Sequence, residues 1–159
     1  MSENTKRPTL SSALSYRDPE AALAFLEAAF GFEPFMIIRG PDGKIGHSEM
    51  TLGDGLIMVG SEWDGTHRSP ASANAKNTQS IHVHIETDID AHCERARKAG
   101  AIIEMAPADQ FYGDRVYRAR DPEGHIWTFG QTVKPMMASE WDKAGGMKTW
   151  VRPGSAFDG

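Results

Sequence analysis

The chain has 159 residues, 40% hydrophobic and 25% charged, with a formal charge of −5 at neutral pH. That length and apolar content suffice for one sizeable core, and the 17 basic residues form no long run, which argues against a nucleic-acid partner. No stretch of 18 apolar residues occurs, the N-terminus lacks an apolar leader, and a single cysteine cannot form an internal disulfide, so a cytoplasmic protein with no membrane partner is expected.

Residues 9–17 alternate, with Leu10 and Leu14 opposite Ser11, Ala13 and Ser15, the pattern of a half-buried strand. Asp18-Pro19-Glu20 then reads as a helix start: a capping carboxylate, a proline that fits the first helical position, and an acid at the positive end of the dipole. Ala22, Phe25, Leu26, Ala29 and Phe30 fall on one helical face, and Gly31 ends the helix. A strand is predicted over residues 32–39, a turn at 41–43 and a hairpin over 44–60. Residues 63–78 are polar and irregular, the composition of a linker.

From Gln79 the pattern restarts. Ile81, Val83 and Ile85 alternate with Ser80, His82 and His84. Asp88 caps a second helix that ends at Gly100, with Ile89, Cys93 and Ala96 on its inner stripe. A short strand at 101–105 and a loop through 107–110 lead into residues 112–130, two β-rich runs around the turn Asp121-Pro122-Glu123-Gly124. Asp18 and Asp88, like Gly60 and Gly130, lie 70 residues apart, so the chain reads as one module written twice. Module one is then 8–62, module two 79–131, and together they form a single domain over 8–131. The remainder, 132–159, is Gly-rich but carries Met136, Met137, Trp141, Met147 and Trp150, with one short helix predicted at 139–144. A tail so rich in large apolar groups is expected to pack on the domain or on a partner subunit.

Two βαβββ modules, a helix beginning Asp-Pro-Glu-Ala-Ala and ending Phe-Gly-Phe, and a last strand introduced by Asp-Pro-Glu-Gly-His resemble the vicinal oxygen chelate superfamily, which includes glyoxalases, bleomycin resistance proteins and extradiol dioxygenases. The resemblance implies an α+β fold in which two curved mixed sheets surround a cavity, with the helices outside. It also implies metal ligands on the first and last strands of each module. The matching positions are Ser11, Met58, Ser80 and Thr128, none of them a good ligand for a divalent cation. His82 rivals Ser80 for the fifth-strand position.

No cofactor is therefore expected. The function that follows is a small-molecule binding protein, sequestering or carrying a partly aromatic or anionic ligand without metal, and homodimeric like many relatives. Strand alternation places His47, Glu49, His82 and His84 toward the cavity, and Tyr112, Arg115 and Tyr117 supply an aromatic wall and an anion-binding fork. The same His47, Glu49, His82 and His84 keep an alternative open: a lyase, isomerase or dioxygenase that uses a displaced divalent metal or a His/Glu acid–base pair. His125 is read as a local hydrogen-bonding group and Cys93 as a buried thiol.

Overall fold

In the computed structural model, which describes residues 7–159, two four-stranded mixed sheets of the same design follow one another along the chain, giving an α+β fold. The first comprises β1 (Ser12–Tyr16), β2 (Glu33–Arg39), β3 (Ile45–Leu52) and β4 (Gly55–Ser61), in the order β1-β4-β3-β2, with α1 (Pro19–Phe30) crossing between β1 and β2. The second comprises β5 (Ile81–His84), β6 (Ile102–Asp109), β7 (Asp114–Arg120) and β8 (Ile126–Thr132), in the order β5-β8-β7-β6, with α2 (Ile89–Lys98) in the corresponding crossover. In each sheet the first strand pairs parallel to the last and the other pairs are antiparallel. Among the described residues no strand of one sheet pairs with a strand of the other, so the sheets do not close into a barrel.

Both helices form where the sequence signals them. The Asp18 carboxylate accepts from Ala21 N–H at 3.0 Å, and Gly31 ends α1 at φ 82°, a conformation open to glycine. Asp88 caps α2 in the same way through Ala91 N–H. The buried face of α1 is Ala22, Leu23, Leu26, Ala29 and Phe30, while Phe25 is half-buried and meets Phe30 edge-on. Leu23 therefore takes the core position that helical spacing assigns to Phe25. In module two, β6 runs on through Pro107 to Asp109 rather than ending at Met105. Register shifts on either side of Met105, together with the strand's place at the sheet edge, accommodate a proline that cannot donate to a ladder.

The two modules share one core. Phe30 and Phe32 of module one pack against Trp127, and Phe30 also packs against Phe129, with ring centroids 4.8–5.5 Å apart. The five-residue turn 121–125 then grips module one. Buried Asp121 accepts from Tyr16 Oη at 2.6 Å and from Trp127 Nε1 at 3.1 Å, while its second oxygen holds the turn's own N–H groups from Glu123 and His125. The Glu123 carboxylate accepts from Arg17 and Asp18 N–H, and His125 Nε2 lies 2.9 Å from the Ser15 carbonyl. His125 is thus structural, as the sequence suggests, but its partner lies in the other module. At the opposite end, His92 Nε2 lies 3.0 Å from the Phe30 carbonyl and Nδ1 lies 2.6 Å from Tyr117 Oη. A carbonyl can only accept, so Nε2 carries the proton and the tyrosine donates to Nδ1.

The tail folds back on module two. Val133 and Lys134 N–H both donate to the Gly113 carbonyl, and Gly145 packs on the Phe111 ring. The helix α3 (Ala138–Gly145) begins with Glu140 accepting from Met137 N–H, one residue before the start that the sequence predicts. Trp141 is half-buried, whereas Trp150 remains 81% exposed.

Candidate functional site

Each sheet turns one face to the shared core and leaves the other open, and strand parity decides which side chains reach the open face. On the first sheet it carries Ala13, Ser15, His47, Glu49, Met58 and Gly60, with Ala13 paired to Met58 and Met58 to Glu49 across the strands. Ser11 precedes β1 and contributes nothing to the ladder. His47 Nε2 lies 3.0 Å from Glu49 Oε1, which also accepts from Arg7 at 3.1 Å. The Arg7 contact, followed by that of His47, holds the Glu49 carboxyl below its ordinary range. Glu49 is 2% exposed, and its Oε2 has no hydrogen-bond partner among the described residues. Beside this pair, Ala13, Ser15, His47, Met58 and Gly60 line a cavity of about 370 Å³ together with the stacked rings of Trp63 and His67.

On the second sheet the open face carries His82, His84, Asp114, Val116, Arg118, Thr128 and Gly130. His82 pairs with Thr128, Thr128 with Arg118, and Gly130 with both His84 and Val116. Arg118 Nε reaches Thr128 Oγ1 at 3.4 Å. Ser80 precedes β5, so the neighbour of Thr128 is His82. A Cβ placed on Gly130 would lie 3.2 Å from His82 Nε2 and 3.8 Å from Asp114 Oδ2, so these two polar groups flank the space that the glycine leaves open. His84 and Tyr112 line a further cavity of about 850 Å³ beside the tail. Burial, followed by the nearby Asp114 charge, raises the Tyr112 hydroxyl's pKa above its ordinary value.

Two residues expected at the ligand lie on the helix side of the sheet rather than on its open face. Tyr117 shares a face with Arg115, as alternation requires, but that face is the helix side. Tyr117 is fully buried, stacked on Phe129 at 4.9 Å, and burial raises its pKa. Arg115 forks onto Asp90 of α2 at 2.9–3.0 Å and also meets Asp109. The residue that strand alternation delivers in their place is Arg118. Its position follows from the turn: pairing around residues 121–125 sets Arg118 opposite Thr128 and Tyr117 opposite Phe129. Since Phe129 is buried in the core, its partner Tyr117 faces the core as well.

Residues 10–129 match the model of the Glyoxalase/Bleomycin resistance protein/Dioxygenase superfamily. The chain belongs to that superfamily. An uncharacterised protein of Mycobacterium bovis is 33% identical over 137 residues, which cover 84% of this chain and 89% of that one. Among solved structures, TioX from a Micromonospora species is 30% identical, with 79% of this chain and 98% of that chain covered and a TM-score of 0.61. TnmS3, an antibiotic binding protein from a Streptomyces species, has the same fold at 18% identity, with 77% and 93% covered and a TM-score of 0.60.

The glyoxalase-type metal positions can be tested against the donors present. The expected positions Ser11 and Ser80 lie before β1 and β5, and the strand residues that pair with Met58 and Thr128 are Ala13 and His82; these rows supply one imidazole, one thioether, one hydroxyl and one methyl group, which do not fit a divalent cation. The displaced set His47, Glu49, His82 and His84 is divided between the two sheets, and no group of three or more His, Cys, Asp or Glu capable of holding a metal occurs among the described residues. Cys93 is buried in the core, and burial raises its thiol pKa.

Proposed function

We propose that this member of the superfamily binds a small, partly aromatic or anionic molecule on the open sheet faces, without metal, and sequesters or carries it. The observation that carries the proposal is the donor set at Ala13, Met58, His82 and Thr128, which offers a single good metal ligand beside polar groups free to meet an organic molecule. Its similarity to TioX and the antibiotic-binding role stated for TnmS3 support the same reading. Open sheet faces bearing exposed His82, His84 and Arg118, and edge strands exposing Phe35, Ile38 and Ile102, support a homodimer in which a second copy covers part of this surface. With no helix of the described residues long and apolar enough to cross a membrane, and one buried free cysteine, the proposal places that dimer in the cytoplasm.

The test is calorimetric titration of candidate ligands into protein purified with and without a strong chelator, combined with elemental analysis. Affinity unchanged by the chelator, and a modest loss in His82→Ala, are expected. Stoichiometric zinc, nickel, iron or manganese that disappears in His82→Ala together with a catalysed reaction would overturn the proposal. One observation supports a second reading, acid–base catalysis: the His47–Glu49 contact, with a buried carboxylate oxygen left unpartnered among the described residues. Turnover abolished in Glu49→Gln but intact in His82→Ala would favour it.

A further inference from the structure

The tail from residue 132 onward lies outside the part of the chain that matches the superfamily, yet it helps to enclose the largest of the cavities described above. Its own hydrogen bonds hold it in shape. Trp141 Nε1 donates to Thr149 Oγ1 at 2.9 Å, Thr149 donates to Asp142 at 2.6 Å, and Ala138 N–H donates to the Phe157 carbonyl at 3.1 Å. These ties draw α3 and the returning segment together, with Trp141 and Phe157 rings 5.4 Å apart. A segment so tied would ordinarily bury its apolar groups. Here Met137, Met147 and Phe157 remain 42%, 56% and 50% exposed while lining a space of about 850 Å³. That volume is in the range of sites that enclose a drug-sized molecule.

The far side of the space belongs to the end of the second sheet. His84, Asp114 and Thr132 come from three adjacent strands, and Tyr112 from the turn before β7. None of these four side chains makes a hydrogen bond among the described residues. Gly130 adjoins them with no positive φ, so its backbone does not demand glycine. What the missing side chain provides is room between His82 Nε2 and Asp114 Oδ2. Aromatic and thioether walls with a few unpartnered polar groups at one end are the makings of an organic-ligand site rather than of a packed core.

We propose that the tail and the end of the second sheet form a binding pocket for a flat aromatic molecule carrying a hydrogen-bond donor, its ring between Tyr112, Trp141 and the tail methionines and its donor on Asp114. Among the described residues the space has one anionic group, Asp114 at the sheet end beside Tyr112, and one cationic group, Lys148 on the tail, so a donor that reaches the sheet end meets Asp114, and there a protonated amine or N–H suits better than a carboxylate does. The pocket deepens the reading of the protein as a small-molecule binder and rests on it.

The experiment uses full-length protein and two probes with the same three-ring skeleton: 9-aminoacridine, a planar cation, and anthracene-9-carboxylate, a planar anion. Binding is read by dye polarisation and by quenching of tryptophan fluorescence. Wild type should prefer the amine, Asp114→Asn should weaken it about 10-fold or more, and Trp141→Ala should weaken it while abolishing most of the quenching. Gly130→Ala should weaken it as well, with an unchanged denaturation midpoint showing that the fold survives. Arg115→Ala, on the helix side, should bind like wild type. Tighter binding of the anion, no binding of either dye, or amine binding indifferent to Asp114→Asn and Trp141→Ala would overturn the pocket. In the last case, loss of binding in His82→Ala would leave the metal-independent binder standing. A shift of Trp141→Ala from dimer to monomer with unchanged dye affinity would also overturn it, by assigning the cleft to a second copy of the chain.

Discussion

Modules one and two follow one plan about 70 residues apart, but the chemistry on their open faces is unequal. Where the first presents Ala13, Met58 and Gly60, the second presents His82, Thr128 and Gly130. A Cβ on Gly60 would meet nothing within 4 Å, whereas on Gly130 it would be hemmed in by His82, Val116 and Asp114. The helix-side faces also differ in residue type, aliphatic at Met50, Ile57 and Val59 and aromatic at Tyr117, Trp127 and Phe129, but both are buried and meet in one core where a change of volume is costly. Residues facing a shared core are tied to their partners across the modules. Those on the open faces are free of that tie, and the two faces carry different polar sets, His47 and Glu49 on the first sheet and His82, His84, Asp114, Arg118 and Thr128 on the second.

If the modules are energetically one body, breaking the shared core should unfold both together. Phe30→Ala removes the ring that touches Trp127 and Phe129 and should cost about 3–5 kcal/mol, with circular dichroism and tryptophan fluorescence losing signal at one common denaturant midpoint. Two separate transitions would break the comparison at its root. Asp121→Ala tests the turn that only module two possesses. It strands Tyr16 Oη and the Trp127 N–H without a buried acceptor, so a loss of about 2–4 kcal/mol is expected in the same titration. Wild-type stability there would mean that the two modules are held by apolar contact alone.

The His92 contact sharpens the picture at the other end. Burial lowers its pKa below 6.5, so near that pH the unfolded chain takes up a proton that the folded one refuses. The contribution of neutral His92 is therefore fully present above pH 6.5 and is lost as the pH falls below it. Thermal midpoints should drop between pH 7 and 5 in wild type and drop less in His92→Gln. The smallest effect belongs to Arg115→Ala. It removes partly exposed ion pairs to Asp90 and Asp109, and the denaturation midpoint should shift less than in any of the variants above, with ligand affinity unchanged.

Much of this architecture was legible in the sequence where a residue's role is local. Asp18, Asp88 and Gly31 declare the helix ends through hydrogen bonds and a backbone conformation settled within a few positions. Ile89, Cys93 and Ala96 declare the buried face of α2 by spacing alone. The errors fall where a neighbouring strand decides. Nothing within β7 tells whether Arg115 or Arg118 faces out, and the answer lies in the register with β8. Pro107 ends a strand by its own chemistry but is carried by an edge strand with bulges. The tail cavity was invisible for the same reason. Tyr112 and His84 stand out individually, but their proximity to Trp141 and Phe157 depends on how a segment without periodicity folds back.

The grip of Asp121 on Tyr16 spans 105 positions of chain. During synthesis the first strand therefore emerges long before its partner exists, and the Tyr16 hydroxyl must stay hydrated until the final hairpin has left the ribosome. Module one can form helix α1 and its own hairpin early, since those contacts are local. Its edge beside β1 and the aromatic side of α1 nevertheless remain uncovered until residues 121–129 arrive. Closure of that very long loop is therefore expected to be slow, and chains interrupted before that turn leave Phe30 and Phe32 uncovered.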